Sequence, residues 1–157
     1  GIPYGTKFQF GIMVEVPSAA LMADKLARYI DFFSIGTNDL TQYTLAVDRT
    51  NSRVAEVGTS FDPSVLILID QTIKAAHNAG KWCGMCGEFA GEELAIPILL
   101  GMGLDEFSVS SARVPAVKQL LRKLSKKDCE QVAVAALDCS TATEVKTLVD
   151  RYLQELA

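Results

Sequence analysis

Residues 11–17 read Gly-Ile-Met-Val-Glu-Val-Pro, an apolar run that ends on a carboxylate and then a proline. A strand buried on both faces of a parallel sheet is continuously apolar rather than alternating, and this run has that character. Pro17 has no amide hydrogen and restricts the residue before it, so the strand has to stop there. The apolar spacing of Ala19, Leu21, Met22, Leu26 and Tyr29 predicts a helix over 18–29, with Ser18 as its cap. Glu15 is thereby left at the C-terminal end of the first strand, where parallel α/β folds gather their functional groups. A strand-end Glu can also be held by a neighbouring amide alone, and Glu15 by itself does not choose between the two.

The same punctuation recurs downstream. Residues 31–36 read as a second buried strand closed by the turn-forming cluster Thr37-Asn38-Asp39, with a short helix over 40–47. Residues 48–61 lose all periodicity and form a loop of functional length. Asp62-Pro63-Ser64 starts a helix that runs to Asn78 and is closed by Ala79-Gly80; His77, in its last turn, reads as a solvated or capping histidine. Residues 81–88 are a third strand and its turn, 92–100 a helix that Pro97 should bend, 106–110 a fourth strand and 114–124 its helix. Two amphipathic helices, 126–137 and 141–156, follow; Ser125 opens one, and Ser140-Thr141 with Glu144 as a capping box opens the other. The fold class is α/β, with four parallel strand–helix units in right-handed succession plus two C-terminal helices, and residues 1–157 are expected to form a single domain.

Composition removes several function classes. A net charge of -4 with no basic stripe argues against nucleic acid as a partner. The apolar runs are interrupted well short of the roughly 20 residues a membrane span needs, and no leader segment opens the sequence, so a cytoplasmic protein is expected. The four cysteines, Cys83, Cys86, Cys129 and Cys139, are too irregular for a disulfide framework. Cys83 and Cys86 stand three apart in a strand, hence on opposite faces, and no second ligand pair is available for zinc.

Parallel strands bring their C-terminal ends to one side, which collects Glu15, then Asn38 and Asp39, then Cys86 and Glu88, then Ser110 and Ser111. Glu15 and Asp39 suit a hard divalent cation, since Mg2+ takes one or two protein carboxylates and leaves its other positions to water and phosphate oxygens. Asn38 can donate its amide to a substrate oxygen. Arg49 offers a guanidinium for a carboxylate or phosphate, although the same residue reads equally well as a surface arginine. Cys86 is either a core thiol or, beside a metal–carboxylate site, a proton donor or acceptor with Glu88 as its polariser.

The stretches MVEVP over 13–17, FFSIGTNDLTQY over 32–43, VDR over 47–49, GMCGE over 84–88 and LLGMGLDEFS over 99–108 resemble, in order and spacing, the phosphoenolpyruvate-binding domain of enzyme I of the bacterial sugar phosphotransferase system. Phosphoenolpyruvate synthase and pyruvate phosphate dikinase share the GTNDLTQ-like and CG stretches and are the alternative membership. The resemblance implies Mg2+ on Glu15 and Asp39, phosphoenolpyruvate on Asn38, Asp39 and Arg49, and Cys86 as proton donor to the methylene carbon. Cys83 stands where the family leads one to expect valine. The resemblance further implies a cytoplasmic, dimeric phosphotransferase that acts through a histidine-containing phosphocarrier protein, with pyruvate as product. The family carries this site on a (β/α)8 barrel of about 250 residues, so four units make up its C-terminal half. That leaves a rival expectation, a non-catalytic dimerisation module. A half barrel is also expected to leave Ile12, Val14, Phe33, Ile35 and Met85 pointing toward the absent half, and therefore to associate.

Overall fold

The computed structural model describes residues 2–3, 5–48, 50–51, 54 and 57–156. Its centre is a four-stranded sheet of β1 (Gly11–Val14), β2 (Phe32–Gly36), β3 (Trp82–Cys86) and β4 (Glu106–Ser108), in that spatial order. Every neighbouring pair is parallel. The register sets Val14, Ile35, Met85 and Phe107 side by side, and Gly36, Cys86 and Ser108 one step further toward the C-terminal ends. Sequential parallel strands with helices between them are the arrangement of half a (β/α)8 barrel, as expected.

The two faces of the sheet differ from the sequence expectation. Val14, Phe33, Ile35, Cys83 and Met85 are fully buried, and they belong to the core built with the helices rather than to an open concave face. Ile12 packs against that same core. The opposite face carries Gly11, Met13, Phe32, Ser34, Trp82, Gly84, Cys86, Glu106 and Ser108, as the two-residue period of each strand requires. Met13 there is 51% exposed, and Phe32 stacks on Trp82 with ring centroids 4.3 Å apart. The helix-side set is apolar throughout, while the opposite face mixes large side chains, Met13, Phe32 and Trp82, with the small or polar Ser34, Gly36, Cys86 and Ser108 nearer the strand ends.

Pro17 is the first residue of α1 (Pro17–Leu21), where its missing amide hydrogen costs nothing; Val16 is the N-cap and makes no side-chain cap, so Ser18 lies inside the helix instead of capping it. Met22, at φ -103° and ψ 11°, separates α1 from α2 (Ala23–Leu26), so the single helix expected over 18–29 is two short ones. Thr37, Asn38 and Asp39 are not a separate turn: α3 (Thr37–Leu45) begins directly at the end of β2. Helix α4 (Pro63–Asn78) is capped by Asp62, whose side chain accepts from Ser64 N–H at 2.9 Å. His77, at its end, is paired rather than merely solvated: Nε2 lies 2.8 Å from Asp105 Oδ2, which also accepts the Cys83 amide at 2.8 Å.

After β3 the chain makes a 3-10 turn (Glu88–Gly91) and then α5 (Ala95–Met102). That helix starts later than the sequence suggested, which places Pro97 in its first turn, where no intrahelical bond is lost and no bend follows. Helices α6 (Val114–Leu121), α7 (Lys126–Leu137) and α8 (Ala142–Glu155) complete the chain. Ser125 caps α7, and Thr141 with Glu144 forms the expected capping box on α8. The tail is part of the same core: Val132, Ala133, Ala136, Val145 and Val149 are buried with Val14 and Phe33. At Gly101 a Cβ would stand 1.9 Å from the Cys129 carbonyl oxygen, so α5 and α7 touch backbone to backbone.

Candidate active site at the strand ends

Glu15 directly follows β1, beside the end of β2. A Cβ at Gly36 would lie 2.7 Å from Glu15 Cγ and 3.0 Å from its Oε1, so the absence of a side chain at Gly36 is what lets this carboxylate lie across the strand end. Gly36 is also the N-cap of α3 and provides no side-chain cap, which leaves the first-turn amides of Thr37, Asn38 and Asp39 to other partners. The positive end of the helix dipole points out at the same place.

Asn38 is held from the next strand. Its Oδ1 accepts the Glu88 amide at 3.4 Å. The approach depends on Gly87, at φ +121°, where a Cβ would meet Thr37 Oγ1 at 2.5 Å and Asn38 Oδ1 at 3.4 Å. The Thr37 hydroxyl is itself buried with no partner among the described residues.

Cys86 ends β3 on the open face. Ser34 Oγ donates to its Sγ at 3.6 Å, and Met13 Sδ lies 3.9 Å away. Cys83 occupies the other face and is fully buried. Burial, helped by the Asp105 carboxylate, pushes its thiol up to about 12. The two sulfurs are therefore separate in place and in chemistry, and all four cysteines are free.

Of the residues singled out from sequence, Glu15, Asn38, Asp39 and Cys86 lie at one end of the sheet; Arg49 lies outside the described residues. Among the described residues it is Ser34 that supplies the hydrogen bond to the Cys86 sulfur; the backbone amide of Glu88 donates to Asn38. Ser34 lies on the face of β2 that also carries Phe32 and Gly36, and only the strand register brings it to Cys86. Arg113 gave no local signal: its Nη1 donates to the Gly91 carbonyl at 2.8 Å, and it closes the far side of a cleft of about 870 Å3 that runs from Asn38 and Cys86 past Ser108 and Ser110.

Among the described residues no group of three His, Cys, Asp or Glu could hold a metal. Glu15, seated over Gly36, and Asp39, in the first turn of α3, are two carboxylates, a donor set of the kind Mg2+ takes from a protein when water and ligand oxygens fill the rest of its shell. Carboxylates, an uncapped helix start, an amide and a thiol can between them hold a cation, receive an anionic group and give up a proton.

Residues 1–126 match the family described as PEP-utilising enzyme, PEP-binding domain, and the chain belongs to that family. It is 50% identical over 153 residues to the phosphoenolpyruvate-protein phosphotransferase of Lactococcus lactis subsp. lactis, covering 97% of this chain and 27% of the relative. It is 47% identical over 155 residues to the protein of that name from Listeria monocytogenes, covering 99% and 27%. With the Staphylococcus aureus protein of that name the identity is 51% over 146 residues, covering 93% and 26%. The chain thus spans about a quarter of the length of the curated relatives it matches.

Proposed function

We propose that this chain is the C-terminal, phosphoenolpyruvate-binding part of a phosphoenolpyruvate-protein phosphotransferase, enzyme I of the sugar phosphotransferase system. In this reading residues 1–157 are one domain, the second half of the barrel. The observation that carries it is the gathering of Glu15, Asn38, Asp39 and Cys86 at one end of the sheet in a chain of this family. Relatives at 47–51% identity that bear this name favour it over the synthase and dikinase alternatives.

The substrate's anionic groups are received by the first-turn amides of α3, by Asn38 and by Arg49. Glu15 and Asp39 hold Mg2+, which when bound supplies charge neutralisation on the phosphate and on the developing enolate. The phosphoryl group leaves for a histidine nitrogen as the P–O bond to the enol breaks, and the electron pair of that bond stays on the enolate. Cys86 gives its thiol proton to the methylene carbon, which yields pyruvate, and the Ser34 hydroxyl supports the thiolate left behind.

The acceptor histidine and the phosphocarrier protein would be met by parts of the protein beyond this chain. No helix of the described residues is long and apolar enough to cross a membrane; a cytoplasmic location belongs to the proposed reading. Self-association into a homodimer belongs to the same reading, and light scattering on the isolated chain tests it. The activity is tested in the full-length protein with labelled phosphoenolpyruvate, Mg2+ and the phosphocarrier. Label should reach the carrier, and Cys86→Ala should still bind phosphoenolpyruvate while forming pyruvate about 10^2- to 10^4-fold more slowly. Self-association without any phosphoenolpyruvate binding would favour the dimerisation module instead.

A further inference from the structure

The 3-10 turn Glu88–Gly91 stands between the end of β3 and α5, and one end of it touches the candidate site: the Glu88 amide is the hydrogen-bond donor to Asn38 Oδ1. Its other end is gripped from the β4–α6 loop. Arg113 Nη1 donates to the Gly91 carbonyl at 2.8 Å, a charge-assisted bond that spans 22 residues of sequence. The backbone of Arg113 is tied down, although the residue is exposed. Its own amide donates to Ser110 O at 2.8 Å, and it is the residue from which α6 starts, followed at once by Val114 and Pro115.

The turn is shaped to receive this arginine. A Cβ at Gly91 would lie 3.1 Å from Arg113 Cδ and 3.4 Å from Val109 Cγ1, so the stem of the side chain runs over a position with no side chain of its own. Among the described residues Arg113 has no ion-pair partner, so the guanidinium is not committed to a salt bridge. Glu92, just after the turn, shares the cleft; burial pushes its carboxyl up, against the smaller opposing pull of the Lys146 and Arg113 charges. Phe89, in the middle of the turn, is buried edge-on against Phe61 with centroids 4.9 Å apart.

We propose that Arg113 is a positioning residue for Asn38, acting through the Glu88–Gly91 turn: by holding the Gly91 carbonyl it fixes where the Glu88 amide stands, and so which way the Asn38 side chain presents its amide to the substrate. The inference rests on the reading of Asn38 as a substrate ligand. The β4–α6 loop thereby becomes part of the site without contributing a group that touches the substrate. Removing the charge while keeping a donor, as in Arg113→Gln, weakens the grip; Arg113→Lys restores the charge without the planar fork. Gly91→Ala keeps the guanidinium and its charge but pushes its stem aside by a few tenths of an ångström.

The test uses the full-length protein that contains this chain, with steady-state kinetics on phosphoenolpyruvate and thermal unfolding measured side by side. Arg113→Gln should raise KM for phosphoenolpyruvate about tenfold, the scale of one hydrogen bond to a charged group, and Gly91→Ala should move it the same way by less. Arg113→Lys should recover part of the loss. In an Asn38→Ala background, Arg113→Gln should add less than twofold, because the group it positions is gone. Losses that multiply in the double variant, or a lowered unfolding temperature with KM unmoved in both Arg113→Gln and Gly91→Ala, would overturn the proposal while leaving the phosphotransferase reading intact. If the unaltered protein does not use phosphoenolpyruvate at all, that reading fails, and this one with it.

Discussion

Ser34 and Cys86 stand 52 residues apart in sequence and meet across β2 and β3, the serine hydroxyl donating to the cysteine sulfur at 3.6 Å. A hydroxyl aimed at sulfur stabilises the thiolate more than the thiol, which is what a residue that gives up a proton to carbon requires. Ser34→Ala in the full-length protein should therefore slow exchange of the pyruvate methyl protons with solvent by about 10- to 100-fold, the scale of one hydrogen bond to a charged group. Mg2+-dependent phosphoenolpyruvate binding should persist. Exchange at the wild-type rate would remove Ser34 from the proton path.

The seat of Glu15 yields a test that leaves both carboxylates in the protein. Gly36→Ala would place a methyl group 2.7 Å from Glu15 Cγ and push the side chain off the end of β2. Its Mg2+-dependent binding of phosphoenolpyruvate, followed by calorimetry, should fall about as far as that of Glu15→Ala or Asp39→Ala, with the circular dichroism spectrum unchanged. Full affinity in Gly36→Ala would mean that Glu15 does not act from the position it occupies here.

The four thiols should separate under alkylation. Cys83 and Cys129 are buried and Cys86 and Cys139 are half-buried, and burial pushes the Cys83, Cys129 and Cys139 thiols up, Cys83 to about 12. Iodoacetamide on the native chain at neutral pH should label Cys86 first and Cys139 more slowly. Cys83 and Cys129 should react only in denaturant. Peptide mass spectrometry reads this directly, and early labelling of Cys83 would contradict its burial.

The Cys83 shift also carries a stability consequence. A thiol raised from 9.0 in the unfolded chain to about 12 in the fold favours the native state in full below pH 9, and that contribution is lost as pH rises from there toward 12. Cys83→Val has nothing to titrate. Above pH 9 the wild type should lose stability relative to Cys83→Val at a rate approaching about 1.4 kcal/mol per pH unit, as measured by urea unfolding of the two proteins in parallel. Parallel curves up to pH 11 would place the thiol in water.

Gly101 makes the contact between α5 and α7 possible. With a Cβ there 1.9 Å from the Cys129 carbonyl and 2.9 Å from Ala133 Cβ, Gly101→Ala has to drive the helices apart. A loss of about 3 kcal/mol in unfolding free energy is expected, at the upper end for overpacking because backbone cannot yield as a side chain can. A loss under about 0.5 kcal/mol would show that the tail rides loosely on α5.

Much of the fold could be read before the structure because its boundaries are chemical. Asp62-Pro63, Ser125 and Thr141 with Glu144 each mark a helix start by a missing amide hydrogen or a capping oxygen, and each helix starts there; at Pro17 only the end of the strand was legible, and α1 starts on the proline itself rather than behind a Ser18 cap. The site residues Glu15, Asn38, Asp39 and Cys86 could be grouped because parallel strands bring their C-terminal ends together. Three things were hidden. A continuously apolar strand has no alternation to tell its two faces apart, which is why Val14, Phe33 and Met85 were assigned to the wrong one. Thr, Asn and Asp serve equally as turn residues and as the first turn of a helix, so the start of α3 at Thr37 was missed. The hydrogen bonds of Ser34 to Cys86 and of Arg113 to Gly91 depend on strand register and loop packing across 52 and 22 residues, and no local pattern announces such pairs.

On α8, Lys146 places its ammonium 5.0 Å from the centroid of the Phe61 ring, and Phe61 in turn meets Phe89 in the turn that leads away from Cys86. The family match covers residues 1–126, and this prop comes from twenty residues further on, in a stretch that the matches to the relatives also reach. Anyone transplanting the motif-bearing residues into another scaffold would have to carry α7 and α8 along, or design a replacement for the surface they cover.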